Sequence, residues 1–163
     1  MIKQLEIPSI GLRNIKTAIS VLICLAILSM FKDYSPFYAC IAAVITMQNS
    51  MNNTIKVGFN RMVGTLIGAA VGAVLASVYA HSLILTSIGI IIVIFLTNLF
   101  KRSGSSSIAC IVYLAIMVNI KNTTPLEYSI FRVIETFLGI IVAVCVNLSI
   151  AHPDKKRKKE QQV

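Results

Sequence analysis

The sequence predicts an all-α polytopic membrane protein, with six transmembrane helices in two inverted three-helix repeats and both termini in the cytoplasm. Three observations carry that prediction: an excess of apolar residues, their grouping into six windows, and polar residues that recur between the first three windows and the last three. Of the 163 residues, 56% are hydrophobic and only 13% charged, with a mean hydropathy of +0.83. Soluble domains run near 45–50% apolar and about 25% charged. A chain of this length cannot hide the surplus in its own core, so lipid is part of its solvent. Hydrocarbon offers no partner for a free backbone N–H or C=O, so the spans are helices rather than open strands.

The windows fall at roughly 15–31, 36–48, 63–79, 83–100, 105–120 and 136–150. Several are short of the roughly 20 helical residues that cross a hydrocarbon core. Amphipathic turns at 53–62 and 125–135 lengthen the third and sixth. No A-x-A-like site follows the first window, so it reads as a span and not a cleaved leader. The sixth helix has its own start signal: Thr124 as N-cap, Pro125 at N1 and Glu127 as the capping-box acid. With the N-terminus inside, twelve of the fifteen basic residues face the cytoplasm, and only Lys32, Lys121 and Arg132 lie outside. These readings divide the chain into a transmembrane domain, 1–152, and a basic cytoplasmic tail, 153–163. The repeats cover about 12–79 and 83–150.

The net charge of +9 does not point to nucleic acid. Its densest run, Lys155 to Lys159, suits anionic lipid at about 1 kcal/mol per basic residue, and no basic face is interleaved with aromatics. Cys24, Cys40, Cys110 and Cys145 lie inside apolar segments without C-x-x-C spacing. They read as packed residues, with no metal site, disulfide or catalytic thiol. His81 and His152 have no catalytic partners, and no carboxylate dyad is present. The sequence therefore predicts no enzyme, no cofactor and no metal.

The repeat lies in matched polar and small residues. Ala39, Cys40 and Ile41 recur as Ala109, Cys110 and Ile111; Met47 and Asn49 as Met117 and Asn119; Asn52 and Thr54 as Asn122 and Thr124. After one inserted residue, Arg61, Thr65 and Gly68 recur as Arg132, Thr136 and Gly139. Three spans per unit is an odd number, so the second unit runs upside down, a recurrent plan of transporters.

Helical spacing puts Arg61, Thr65, Gly68, Gly72 and Ala76 on one face, and Arg132, Thr136, Gly139, Ala143 and Asn147 on another. Gly64, Gly68 and Gly72, with Gly139 in the second unit, fit close helix packing. An arginine beside a helix N-terminus is a receptor for a carboxylate, with Thr65 and Thr136 offering hydroxyl contacts one turn deeper. The plainer reading of Arg61 is an anchor that snorkels to cytoplasmic headgroups. That of Arg132 is an ion pair with Glu135 or Glu127. Glu135 is the candidate for proton coupling, or else the charge balance for Arg132. Lys16, Gln48, Asn49 and Asn119 are interfacial anchors, caps or ligand contacts.

The segments GLRNIKTAIS (11–20) and YACIAAVITMQNS (38–50), the R-x-x-x-T-x-x-G helix from Arg61, and its echo ending in Asn147 resemble the aromatic acid exporter family of the fusaric acid resistance superfamily. The resemblance covers roughly 9–152. It implies a six-helix membrane domain that moves organic anions, aromatic carboxylates among them, with Arg61 and Arg132 as anion contacts. Related plant malate channels are dimers with basic residues along the pore, which implies a homodimer or higher homo-oligomer. Many members continue into a cytoplasmic domain where this sequence has its basic tail. Three readings of function follow: a plasma-membrane transporter or efflux component for organic anions, a non-transporting scaffold, or a small membrane subunit of a larger transport complex.

Overall fold

The computed structural model describes residues 11–31, 34–120 and 123–150, and among these every regular element is a helix. The order is α1 (Leu12–Leu28), α2 (Pro36–Thr46), α3 (Met51–Tyr79), α4 (Leu83–Leu99), α5 (Ser106–Asn119) and α6 (Pro125–Ser149), with a 3-10 turn at Ser103–Ser105 leading into α5. The expected basic tail lies outside the described residues.

Local sequence sets the helix starts. Ser50 accepts a hydrogen bond from the Asn53 N–H and Ser82 one from the Leu85 N–H, each satisfying an orphan donor of the first turn. At α6 the anticipated capping box is complete: Thr124 accepts from the Glu127 N–H and Glu127 from the Thr124 N–H, with Pro125 at the first position. The expected extensions are also present, since α3 and α6 begin well before their apolar windows. At 29 and 25 residues, α3 and α6 are long and apolar enough to cross a membrane. The other four are shorter, and α2, at 11 residues, measures only about 16 Å.

Burial is inverted relative to a soluble domain. On α1 the buried stripe is Lys16, Ser20, Cys24 and Leu28, while Leu12, Ile15, Ile19, Leu22 and Leu25 face outward. Arg61, Arg132 and Glu135 are buried as well, and the exposed set is dominated by Leu, Ile, Val and Phe. Such a surface needs an apolar solvent, so this is a membrane protein.

Long helices α3 and α6 pack on each other at the centre. Helix α5 lies on α3 and α2 on α6, while α1 covers α2 and α6 and α4 covers α5 and α3. Exchanging α1, α2 and α3 for α4, α5 and α6 leaves this set of packed pairs unchanged. The two apolar cores do not follow chain order. One joins Ala69 and Ala76 of α3 to Val93 of α4 and Ala109, Tyr113 and Ile116 of α5. The other joins Val142, Ala143 and Val146 of α6 to Cys24 of α1, Ala39 and Ala43 of α2 and Met47 at the C-cap of α2. Each half of the chain thus lends its third helix to the other half's core.

Glycine makes that exchange fit. A Cβ on Gly68 would strike the Ala109 carbonyl of α5, and one on Gly139 would strike the Ala39 carbonyl of α2. Gly64 meets the Ser105 carbonyl and Gly72 the side chain of Ile116, so the whole glycine stripe of α3 faces the chain of α5 and its entry turn. Gly68→Ala and Gly139→Ala are each expected to destabilise the protein by about 1–3 kcal/mol, as overpacking does. Gly104→Ala, where the new methyl meets only Asn60 Nδ2 at 3.8 Å, is expected to leave stability unchanged. Thermal unfolding in detergent micelles measures all three.

Candidate functional site

The two long helices present the predicted polar stripes inward. Thr54, Gly58, Arg61, Thr65, Gly68, Gly72 and Ala76 are all buried on α3, and Arg132, Glu135, Thr136, Gly139, Ala143 and Asn147 on α6. The helices start earlier than the arginine-at-helix-end reading requires. Arg61 lies about three turns beyond Met51 and Arg132 about two turns beyond Pro125. A helix dipole acts within its first turn, so it adds little potential at either guanidinium. What each arginine can do depends on its side-chain neighbours.

Those neighbours differ sharply. The Arg132 guanidinium contacts Glu135 twice, Nη1 to Oε2 at 3.1 Å and Nη2 to Oε1 at 3.2 Å. It also lies between two aromatic rings, 3.7 Å from the Tyr38 centroid and 4.6 Å from that of Tyr128. Glu135 Oε1 in turn accepts from the Ser35 N–H at 2.6 Å, tying the start of α2 to α6. A fully buried carboxylate and a nearly buried guanidinium therefore cancel each other inside the protein, and the rings add cation–π stabilisation. This is the charge-balance arrangement with Glu135, and Glu127 serves the helix cap instead.

Arg61 has no such partner. It is 6% exposed, makes no ion pair or side-chain hydrogen bond to the described residues, and has a buried, unpaired Nε. The Thr65 hydroxyl, one turn further along α3, is also buried and unpaired. Arg61 reaches a cavity of about 350 Å³ between α2 and α5, two helices that do not pack on each other. Phe37, Tyr38, Ile41 and Ile45 form one wall and α5 from Ile108 to Asn119 the other, with Thr136 of α6 also exposed to the space. The structure thus brings Arg61 and Thr136 together at one cavity, whereas Thr65, Arg132 and Asn147 do not line it. Arg132 stands behind Tyr38, on the ring of a residue that does.

Asn147 anchors a separate polar cluster. Its Oδ1 accepts from Lys16 Nζ at 2.9 Å, and its Nδ2 donates to Thr54 Oγ1 at 2.8 Å and to the Gln48 carbonyl at 3.4 Å. Lys16, 1% exposed, is held by this amide, and no carboxylate pairs with it among the described residues. Sequence reasoning singled out each of these polar residues but not their convergence from four elements. It also missed the tyrosine clamp, although Tyr128 and Arg132 stand at the i, i+4 spacing that lets a ring cover a guanidinium.

A helical membrane bundle with a guanidinium unneutralised among the described residues, on an apolar-walled cavity, defines the general class. The particular family is given by residues 8–150, which match the family described as Aromatic acid exporter family member 1, and the chain belongs to that family. It is an exporter family rather than an enzyme family. The chain is similar to the UPF0421 protein OB2406 of Oceanobacillus iheyensis, with 27% identity over 154 residues, 94% of this chain and 44% of that protein. It is also similar to the UPF0421 protein BH2644 of Halalkalibacterium halodurans, with 27% identity over 146 residues, 90% of this chain and 41% of that protein. The chain spans less than half the length of these curated relatives. No solved structure matches it.

Removing one member of the buried pair leaves the other charge uncompensated, at a cost of about 3–5 kcal/mol. Arg132→Gln is therefore expected to lower stability by that order, and adding Glu135→Gln to it is expected to restore part of the loss. A double-mutant cycle by thermal unfolding in micelles checks this. Asn147→Leu, which strips Lys16 of its acceptor, is expected to cost about 1.5–3 kcal/mol in the same assay.

Proposed function

We propose that this protein exports organic anions, aromatic carboxylates among them, across the plasma membrane, and that Arg61 receives the carboxylate. The observation that carries this reading is a buried guanidinium with no counter-charge among the described residues, on the wall of an apolar cavity, in a chain that belongs to an exporter family. Burying a lone cation is costly, and an anion in the cavity supplies the missing partner. Arginine offers a planar fork of donors that matches a carboxylate. Phe37, Tyr38 and the isoleucines of both walls suit a flat apolar body, and the Thr136 hydroxyl is a further polar contact. Thr65 is a reserve contact, reached by a shift of Arg61. Arg132 and Asn147 already have internal partners, so we assign them to holding the bundle, and Glu135 to neutralising Arg132 rather than to proton coupling.

We further infer that all six helices cross the membrane, with both termini in the cytoplasm and the two halves as inverted repeats. The skewed distribution of basic residues supports this orientation. The Lys16–Asn147 hydrogen bond joins the start of α1 to the end of α6, as an even number of crossings requires. The unchanged set of helix pairs on exchanging halves, and the matched contacts of Gly68 on Ala109 and Gly139 on Ala39, support the repeat. Rocking of the α1–α2–α6 core against the α3–α4–α5 core, which face each other across the cavity, would carry the anion past Arg61. A homo-oligomer, with anionic lipid at the basic tail, completes the arrangement.

The test is flux of a radiolabelled aromatic acid such as benzoate in liposomes holding the purified protein. Arg61→Ala is expected to reduce flux by about ten- to hundredfold, the worth of a hydrogen bond to a charged group. Arg61→Lys is expected to retain part of it. Unchanged flux in Arg61→Ala would remove Arg61 from the site. A wild-type protein that carries no anion leaves the scaffold or subunit readings.

A further inference from the structure

The charges around the cavity are unequal in a way that bears on what it accepts. Of the two arginines related by the repeat, one is cancelled. Glu135 holds both terminal nitrogens of Arg132, and the Tyr38 ring separates that pair from the cavity. Lys16 is hydrogen-bonded to Asn147, away from the cavity lining, and Arg102 lies over the exposed ring of Phe59. Among the described residues, Arg61 is the one charged group that lines the space. The opposing walls are Ile41 and Ile45 against Ile108, Val112 and Ala115, and the other polar lining groups, on Tyr38, Asn119 and Thr136, are uncharged.

We propose that the cavity selects monovalent organic anions over divalent ones, and that Glu135 sets this valence by neutralising Arg132. The inference rests on the export reading above. A ligand with one carboxylate pairs it with Arg61 and lays its apolar body along the walls. Among the described residues a second carboxylate on the same ligand has no cation to meet, and it must leave water for a wall that offers aliphatic side chains and a few uncharged polar groups. Had Arg132 no acid beside it, a second positive charge would stand just behind Tyr38 and the preference would weaken. Glu135 touches no ligand in this arrangement. It is a positioning residue that acts through Arg132.

The experiment compares three probes in liposomes at a pH where each is fully ionised. Benzoate is a monoanion and terephthalate a dianion on the same ring. Monomethyl terephthalate has the length of the dianion and the charge of the monoanion. Wild-type flux of benzoate and monomethyl terephthalate is expected to exceed that of terephthalate by on the order of tenfold. Glu135→Gln is expected to narrow that ratio several-fold, whereas a merely structural defect would lower all three together. Terephthalate flux equal to that of monomethyl terephthalate overturns the proposal while leaving the export reading intact. Slow flux of both long probes assigns selection to length and also overturns it. No flux of any probe removes the export reading itself. If Glu135→Gln fails to fold, the wild-type comparison decides the valence preference alone, and Glu135→Asp, which keeps the charge, is then expected to keep the wild-type ratio. A ratio collapsed in that variant overturns the role given to Glu135.

Discussion

Backbone contact between helices is the constraint on which this molecule depends. In lipid there is little hydrophobic drive to bring one apolar helix to another, so association rests on close van der Waals fit and on buried polar bonds. Gly68 and Gly139 supply that fit by letting α5 and α2 approach to carbonyl distance. Because α2 packs chiefly on α6 and α5 chiefly on α3, α2 and α5 do not pack on each other. The gap between them is the cavity, and the inner faces of α3 and α6 bring Arg61 and Thr136 to it. The site is thus a by-product of how the glycines seat their neighbours, and not a feature of any one helix.

Charge then distinguishes two positions that packing treats alike. Arg61 and Arg132 occupy matching places on matching helices, yet among the described residues one is unpaired and the other forms an ion pair and a hydrogen bond with Glu135 and is covered by two tyrosines. The difference has a sequence origin: Glu135 has Gly64 as its counterpart in the first half, a position with no side chain to offer. A single acid in place of a glycine converts one of two potential anion contacts into a brace between α2 and α6. The glycine at the other position serves a different need, since a side chain there would collide with the Ser105 carbonyl.

Much of the fold was legible because lipid simplifies the code. Apolar windows, the capping box at Thr124 and the glycine spacing each report a local requirement, and local requirements survive in sequence. The polar stripes were legible for the same reason, as helical geometry alone places Arg61 with Thr65 and Arg132 with Thr136. What was not legible was partnership between helices. The i, i+3 spacing already offered Arg132 an ion pair with Glu135, which the packing bears out, whereas the headgroup-anchor reading of Arg61 does not survive its burial. Tyr38 reaches Arg132 from another helix, and Ser35 reaches Glu135 across a separation of 100 residues. The exchange of third helices was equally hidden, because two apolar faces of similar size are chemically interchangeable until their shapes meet.

That exchange has a consequence for how the chain comes into being. A protein made from its N-terminus emerges one helix at a time, and here neither core can close on the helices of its own half. The ammonium of Lys16 enters with α1, but its amide acceptor lies 131 residues later, on α6. Until α6 is delivered, the cationic end of α1 must stay near headgroups or water. Helix α6 is therefore the keystone of the core that α1 and α2 begin, and biogenesis must keep that unfinished half soluble in the bilayer until α6 arrives.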